Sequence, residues 1–300
     1  MLTDPATIVA RARRACGIAC AAFALLAAAL AAQADDIART GGPYVPTPQE
    51  VVDRMLELAD VGPHDYVVDL GSGDGRMVIT AARRFGARGL GVDLDPELVE
   101  RSMADARRQG VADRVRFRVE DATRTPLANA SVVTLYLLPG VTKLLAPRFL
   151  AELEPGSRIV AHDFDLGDWK ADRQLTMDVR EKYGSVGTWK STLFLYTVPA
   201  SVRGTWQMET AGPPAERMVV RIEQRYQEIA GTAVLAGRSY VISGGRVVGR
   251  RVELKLGPEG AAPEAYYEGT IDAGHMQGTL QRGDRRAPWS ATRLTASVAE

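Results

Sequence analysis

YVVDLGSGDGRMVITAARRFGARGLGVDLDP, residues 66–96, decides the fold of this chain. An apolar run ends in Asp69, a glycine-rich turn follows, and the apolar residues after the turn have helical spacing. A second apolar run ends in Asp93, eighteen residues beyond the last glycine. This order predicts a strand, a turn, a helix and a second, parallel strand. The glycines stand at alternate positions: Gly71, Gly73 and Gly75.

The glycine turn and its two flanking acids have the properties of a nucleoside-binding site. Glycines let the backbone approach a ligand closely, and an acid at the end of a second strand accepts hydrogen bonds from ribose hydroxyls. Arg76 stands where a dinucleotide-binding motif has its third glycine, and no Gly-Lys-Ser/Thr follows. Asp69 suits a ligand with an ammonium group better than a pyrophosphate. We therefore expect a nucleoside cofactor.

The first 34 residues predict targeting rather than fold. Three arginines precede an uncharged, Ala- and Leu-rich run over residues 15–32, and Ala32-Gln33-Ala34 has the small-x-small pattern of signal-peptidase sites. We expect cleavage after Ala34 and export, with the periplasm as the predicted location. Two alternatives stay open: the run is retained as a membrane anchor, or the start codon is mis-assigned.

Composition argues against metal and nucleic-acid binding. Both cysteines, Cys16 and Cys20, lie in the predicted signal peptide, and the three histidines are far apart in sequence. A thiolate or histidine metal site is therefore not expected. The segment contains three Arg and one Asp, so its removal leaves 34 basic and 36 acidic residues. Such a chain has no global attraction for nucleic acid.

Helical and apolar strand patterns alternate up to residue 200. Thr47 is expected to cap the first helix, with Pro48 as its first residue, and a later helix is expected to be interrupted at Pro147. The helix after Asp95 is predicted to bury Leu98, Val99, Met103 and Ala106. Five strands in parallel-sheet order are predicted, followed by two antiparallel strands at residues 175–180 and 192–198. The third of the five ends at Glu120-Asp121, the fourth covers 131–138 and the fifth covers 158–164.

From Ser201 the pattern changes to short alternating segments without helical periodicity. These segments predict an antiparallel β-meander of seven or eight strands, folded as a small barrel or sandwich. Hairpin turns are expected at residues 243–246 and 272–275. No functional site is predicted in this part of the chain.

Five segments in order, PYVPTPQEVV, VVDLGSGDGR, GVDLDPELV, VVTLYLLPG and RIVAHDFDLGDW, resemble a bacterial family of small class I S-adenosylmethionine-dependent methyltransferases. The family is related to the lysine methyltransferases that modify a membrane-embedded component of ATP synthase. The resemblance implies an α/β, Rossmann-like seven-stranded sheet with helices on both faces. The resemblance covers roughly residues 42–200. Together with the patterns described above, it divides the chain into a signal peptide (1–34), a linker (35–42), a methyltransferase domain (43–200) and a β-rich domain (201–300).

The resemblance also implies roles for individual residues. Residues 69–75 would hold the methionine part of the cofactor, Asp93 the ribose and Asp121 the adenine, although Asp121 also suits a turn aspartate. Residues 44–47 would form a lid. The implied cofactor-binding residues are Tyr44, Asp69, Gly71, Ser72, Gly73, Asp74, Gly75, Asp93, Leu94, Asp121 and Ala122.

The acceptor side departs from the pattern of many amino-group methyltransferases. Where those enzymes have Asn or Asp followed by Pro-Pro-aromatic, this chain has Tyr136-Leu137-Leu138-Pro139. An amine would then be held by the carbonyls of this turn, by Tyr136 or by Asp163. The candidate catalytic residues are therefore Tyr136, Pro139 and Asp163, with a loop-capping role as the alternative for Asp163.

The resemblance makes methylation of a protein lysine the first functional hypothesis, with S-adenosylmethionine as cofactor. The acceptor would be a protein or a small molecule, with the cell envelope as a candidate location, and the absent basic patch argues against RNA. Because an exported protein meets little S-adenosylmethionine, one alternative is an exported nucleoside- or S-adenosylmethionine-binding protein without transfer activity. A separate alternative is a small-molecule methyltransferase.

Overall fold

The computed structural model describes residues 44–182, 184–211 and 215–294. The predicted signal peptide, the linker and both cysteines lie outside the described residues, so the predicted export stays a prediction. None of the helices in the described ranges is long and apolar enough to cross a bilayer. These helices are α1 (Gln49–Leu58), α2 (Arg76–Phe85), α3 (Pro96–Arg108) and α4 (Pro139–Glu152).

A seven-stranded sheet in the order β3-β2-β1-β4-β5-β7-β6 forms the first half of the fold. The five strands β1 to β5 are parallel, and β7 lies antiparallel between β5 and β6. The Rossmann-like sheet predicted from the sequence is confirmed. Its strands are β1 (Tyr66–Leu70), β2 (Arg88–Asp93), β3 (Val115–Val119), β4 (Val132–Leu135), β5 (Arg158–His162), β6 (Arg173–Lys182) and β7 (Ser185–Thr197).

Apolar packing on both faces explains the central position of β1 and β4. All four residues of β4 are buried, as are the last four of β1. Helix α1 covers one face through Val51, Val52 and Met55, which pack in one cluster with strand residues such as Val67. Because β1, β2 and β4 are parallel, their carboxyl ends meet in one row at the same rim of the sheet.

The second half of the fold is a closed antiparallel barrel of eight strands, in which β15 pairs with β8. The predicted meander is therefore a barrel rather than a sandwich. Its interior is filled by large side chains, among them Trp206, Met208, Tyr267 and Trp289. The strands are β8 (Gly204–Thr210), β9 (Glu216–Arg225), β10 (Glu228–Leu235), β11 (Arg238–Val248), β12 (Arg251–Gly257), β13 (Ala265–Asp272), β14 (His275–Arg282) and β15 (Arg285–Arg293).

The hairpin turn expected at residues 243–246 is wrong. Gly244 and Gly245 lie inside β11, where the pairing register shifts after Ile242. A Cβ on Gly245 would lie 2.4 Å from Cγ1 of Ile229, so this glycine serves a close approach between strands instead of a turn. The chain turns later, at Gly249, which has φ of 57°.

Three helix details also differ from the sequence prediction. Pro48, not Thr47, is the residue before α1, and no side chain of the described residues caps that helix. Pro147 lies inside a continuous α4 and does not interrupt it. Met103 is exposed on α3, whereas Ser102 is fully buried and its hydroxyl donates to the carbonyl of Gly73. The small serine is inside because α3 packs close against the glycine turn.

Strand lengths around the rim differ from the predicted ones. Strand β4 ends at Leu135 and β5 at His162, so Tyr136 and Asp163 begin the loops that follow them. Strands β6 and β7 form a hairpin that extends well beyond the predicted segments.

Candidate active site

The glycine turn joins β1 to α2 at the carboxyl rim of the sheet. Gly71, Gly73 and Gly75 all have positive φ, between 53° and 77°, which L side chains rarely adopt. The amides of Gly71 and Ser72 both donate to the carbonyl of Val92 in β2. The turn is therefore tied to the neighbouring strand by two backbone hydrogen bonds.

Asp93 lies at the tip of β2 with its carboxylate fixed by the backbone. The amide of Gly73 donates to Oδ2 at 2.7 Å, and the amide of Asp95 donates to Oδ1 at 3.0 Å. Each carboxylate oxygen can accept more than one hydrogen bond. Asp93 is thus oriented in advance and retains the capacity to accept ribose hydroxyls.

Asp69 is a buried acid at the end of β1, beneath the glycine turn. It is 7% exposed, and Oγ1 of Thr134 donates to its Oδ1 at 2.7 Å. Burial raises the pKa of Asp69 to about 7, and the nearby carboxylates of Asp93 and Asp74 add to this rise while the Thr134 hydrogen bond opposes it. A cationic ligand group beside this carboxyl would relieve the cost of its buried charge.

Asp74 and Ser72 have different surroundings although both belong to the glycine turn. Two oxygens of Asp74 accept hydrogen bonds from the Arg76 guanidinium at 2.9 and 2.6 Å, and Arg76 also donates to the carbonyl of Thr47. Arg76 therefore links Asp74 to the segment that precedes α1. Within the part of the chain that the structure describes, the buried Ser72 hydroxyl has no hydrogen-bond partner.

The residues implied for the adenine side occupy the loops after β2 and β3. Leu94 directly follows Asp93 and is 39% exposed, although it is apolar. Oδ1 of Asp121 accepts hydrogen bonds from the amide and the hydroxyl of Thr123 at 2.8 and 2.7 Å, which is the geometry of a turn aspartate. Ala122 is half-buried beside the central apolar cluster. Tyr44, the remaining implied residue, is 44% exposed in an extended segment.

The turn after β4 directly adjoins the glycine turn. A Cβ on Gly71 would lie 2.7 Å from Cδ2 of Leu137. The ring of Tyr136 lies 4.1 Å from the ring of His162 and is stacked on Phe164 at 6.1 Å, measured between centroids. Pro139 is exposed at the first turn of α4 and contributes no N–H. Aromatic rings thus form one wall beside the glycine turn.

His162 lies behind this wall, and both of its ring nitrogens contact hydroxyl groups of the chain. The ring is fully buried, with Nδ1 3.3 Å from the Thr47 hydroxyl and Nε2 3.0 Å from the Ser191 hydroxyl. Burial lowers the pKa of His162 to about 4, opposed by Asp163, so the ring is neutral at physiological pH. Thr47, expected as a helix cap, instead contacts this ring.

Asp163 is engaged by its own chain. It has φ of 59°, its Oδ1 accepts the amide of Thr192 at 3.0 Å, and its Oδ2 lies 2.5 Å from Nζ of Lys182. Lys182 is buried and also donates to the carbonyl of Lys190. Because an internal cation already neutralises Asp163, the structure favours the loop-capping alternative for this residue over direct binding of an acceptor amine.

Several functional contacts were missed by sequence reasoning because they join distant segments. Thr134 reaches Asp69 across paired strands. Lys182, the last residue of β6, lies beside Asp163, although the strand register places it opposite Ser185. No local pattern of the sequence marks either contact.

Comparisons with known proteins place this site in a family. The family model described as ANTKMT methyltransferase domain matches residues 69–173. The ATP synthase c-subunit lysine N-methyltransferase of Rattus norvegicus is 34% identical over 132 residues, or 43% of this chain and 59% of that protein. A protein-lysine N-methyltransferase of Saccharolobus islandicus is 36% identical over 157 residues, or 52% of this chain and 93% of that protein.

The chain belongs to the class I S-adenosylmethionine-dependent methyltransferases related to the ATP synthase c-subunit lysine methyltransferases. The resemblance drawn from the sequence is confirmed. The adenine nucleotide translocase lysine N-methyltransferase of Mus musculus is 36% identical over 129 residues, and the chain spans little more than half the length of the rat and mouse relatives. A solved RNA methyltransferase of Salinibacter ruber with S-adenosylhomocysteine is 48% identical, with a TM-score of 0.47 and coverage of 53% of this chain and 96% of that one.

The residues of this methyltransferase fit its cofactor, S-adenosylmethionine. The buried Asp69 carboxyl suits the ammonium of the methionine part, and the Ser72 hydroxyl, which lacks a partner among the described residues, lies in the same turn. Asp93, which is fixed by two amides, retains the acceptor capacity that the ribose hydroxyls would need. S-adenosylmethionine supplies an electrophilic methyl group when bound, and these residues would hold it at the rim of β1 and β2.

Asp93→Ala is expected to weaken S-adenosylmethionine binding about tenfold. The substitution removes the carboxylate that would accept from the ribose, a net loss of about 1.4 kcal/mol, and it also removes the acceptor of the Gly73 amide. Calorimetric titration of the purified protein measures the change. Asp113→Ala, on an exposed turn, is the matched control and should bind as the unmutated chain does. Equal affinities for all three proteins would contradict the ribose role of Asp93.

Proposed function

We propose that this protein transfers a methyl group from S-adenosylmethionine to the ε-amino group of a protein lysine. One observation of the site carries the proposal. The wall beside the glycine turn consists of the rings of Tyr136 and Phe164, with the neutral, buried His162 behind Tyr136, and the adjacent Asp163 is already paired with Lys182. The names of the rat, mouse and archaeal relatives support a protein lysine as acceptor.

The surroundings of the rim suit an amine that must lose a proton before it reacts. The amine attacks the methyl carbon as a neutral nucleophile, the N–C bond forms as the C–S bond breaks, and the released proton goes to water. An apolar wall whose neighbouring carboxylate is already paired lowers the pKa of a lysine amine by desolvation. Alignment of the nucleophile and exclusion of water then supply most of the rate.

The proposed acceptor is a protein of the cell envelope. This part of the proposal is supported by the N-terminal segment, in which three arginines precede an uncharged run and a signal-peptidase pattern. The proposed location does not affect the proposed reaction, because the lysine amine is chemically the same in every compartment.

Radiolabel transfer tests the proposed acceptor. The purified protein is incubated with methyl-labelled S-adenosylmethionine and, separately, with bacterial envelope proteins, soluble proteins, total RNA and a small-molecule extract. We expect label in envelope protein, recovered as methyl-lysine after acid hydrolysis, and no label with the Asp69→Asn variant. Label in RNA or in the small-molecule extract instead would contradict the proposal. A protein that binds the cofactor and labels none of the four fractions would support the non-transferring alternative.

A further inference from the structure

We propose that the barrel holds the acceptor rim of the methyltransferase sheet in place, with Tyr226 as a positioning residue. Tyr226 lies at the turn between β9 and β10 and has φ of 55°. Its partner is the loop over residues 163–172, which joins β5 to β6 and begins at Asp163. The proposal rests on methyl transfer at this rim and does not depend on which acceptor is used.

An aromatic contact joins the barrel to this loop. Trp169 of the loop is 1% exposed, and the ring of Tyr226 is stacked on it with centroids 5.5 Å apart and planes at 6°. Trp169 also contacts Tyr196 of β7 edge-on, with centroids 5.4 Å apart. Trp169 is therefore clamped between the sheet and the barrel. Both aromatic contacts have the offset or edge geometry that ring quadrupoles favour.

Polar contacts from the barrel fix the backbone around Trp169. The side-chain amide of Gln227, which is 2% exposed, donates to the carbonyl of Lys170. Arg246 of β11 forms an ion pair with Asp172, whose other oxygen accepts the amide of Thr197. A buried hydrogen bond to a loop carbonyl restricts that loop more than an exposed ion pair does. Gln227 is thus the polar counterpart of Tyr226.

A series of contacts connects Trp169, which the barrel holds, to Phe164 near the start of the same loop. The amide of Leu166 donates to the hydroxyl of Tyr196 at 3.0 Å, and Leu166 forms an isolated bridge with Trp169. Two residues earlier, Phe164 is stacked on Tyr136, the first residue after β4. The barrel therefore reaches the aromatic wall through Tyr226, Trp169, the loop backbone and Phe164.

The position of Tyr136 depends on this loop because its ring is stacked on Phe164. The loop has no regular structure of its own, since none of the described residues 163–172 belongs to a helix or strand. The loop geometry comes from contacts at its ends and at Trp169. Removal of the Tyr226 ring leaves one face of Trp169 without that contact, and the loop then samples more conformations. We infer that the barrel serves catalysis by keeping the acceptor wall in one arrangement while the cofactor site stays unchanged.

Hydrogen exchange on the full chain with bound S-adenosylhomocysteine tests the proposal directly. Tyr226→Ala should raise exchange of the amides of residues 164–169 by tenfold or more, and Tyr226→Phe should restore the slow rate because it keeps the ring. Tyr266→Ala, which removes an exposed tyrosine elsewhere on the barrel, is the matched control. Gln227→Leu gives a second variant in case Tyr226→Ala does not fold. Loop exchange as slow as in the unmutated chain in both Tyr226→Ala and Gln227→Leu would overturn the proposal.

Two functional readouts separate positioning from general destabilisation. Affinity for S-adenosylhomocysteine should change less than twofold in Tyr226→Ala, whereas kcat for transfer to envelope protein should fall about tenfold with recovery in Tyr226→Phe. A parallel loss of cofactor affinity would overturn the positioning role, as would an unchanged kcat. If the unmutated protein labels no lysine, the proposed acceptor fails, and the exchange experiment still decides whether the barrel fixes the loop.

Discussion

Asp69→Asn is expected to weaken S-adenosylmethionine binding about 100-fold and, at the same time, to stabilise the ligand-free protein. Asp69 is buried, and desolvation raises its pKa to about 7. Loss of one partner from a buried ion pair costs about 3 kcal/mol, which corresponds to about 100-fold in Kd. The asparagine keeps an oxygen that can accept the hydrogen bond from Thr134, so the shape of the site is preserved.

The stabilisation follows from the sign of the pKa change. The folded-state pKa of Asp69 lies above its ordinary value of 3.8, so the folded chain binds this proton more tightly than the unfolded chain does. Stability from this group is fully present below about pH 4 and is lost as the pH rises to about 7. The upper limit of the loss is about 4 kcal/mol, at about 1.4 kcal/mol for each pH unit. Asp69→Asn removes that loss above pH 7.

The same titration governs cofactor binding in the opposite direction. The ammonium of S-adenosylmethionine pairs with the ionised carboxylate, so affinity should fall up to tenfold per pH unit below about pH 7. It should also fall above about pH 8, where an α-ammonium group loses its proton. Calorimetry from pH 5.5 to 8.5, together with thermal unfolding, measures both effects. Asp113→Asn is the control, since it changes an exposed acid of the same type. A variant that binds normally and unfolds at the same temperature would refute the assignment of Asp69.

Gly75→Ala is expected to destabilise the fold by about 3 kcal/mol. Gly75 has φ of 77°, and a Cβ there would lie 2.7 Å from Cε1 of Phe117 and 2.8 Å from Cβ of Ser102. The left-handed conformation costs an L residue about 1 kcal/mol, and forced overlap in a packed core costs about 2 kcal/mol more. Neither neighbour can move easily, because both Phe117 and Ser102 are buried.

Gly110→Ala separates the cost of the left-handed conformation from the cost of steric overlap. Gly110 has φ of 71°, yet a Cβ there would meet nothing within 4 Å, so the variant has only the conformational cost of about 1 kcal/mol. Urea unfolding of both variants gives the comparison. Equal losses of unfolding free energy would show that contacts from α3 and β3 leave room for a side chain at Gly75. A larger loss for Gly75→Ala would show that the turn has no room for a side chain.

The cofactor half of the fold was predictable because its signals are local. Each glycine of the turn adopts the positive φ that its residue type suggests, and Asp95 caps α3 by accepting from the amide of Glu97. Strands β1 and β4 are buried on both faces, as their apolar runs predict. In such segments the residue types alone restrict the backbone.

The acceptor half was less predictable because its contacts join segments far apart in sequence. Thr47 is a good helix cap by type, but its hydroxyl lies beside His162 instead. Asp163 is a candidate for amine binding by its position after β5, but its carboxylate is paired with Lys182 at the end of β6. Pro147 fits inside α4 although proline usually breaks a helix. In each case tertiary packing overrides a local preference.

Closure of the barrel has a consequence for how the chain folds. Strand β8 follows the sheet directly, yet one of its two neighbours is β15, the last strand of the barrel, through pairs such as Trp206 with Arg293. Pairing of high sequence separation loses loop entropy before the contacts that offset this loss can form, and it slows folding. During synthesis the Rossmann-like sheet can form while β15 is still missing, whereas the barrel cannot close. We expect a slow late phase in refolding kinetics that reports on Trp206 and leaves the sheet unaffected.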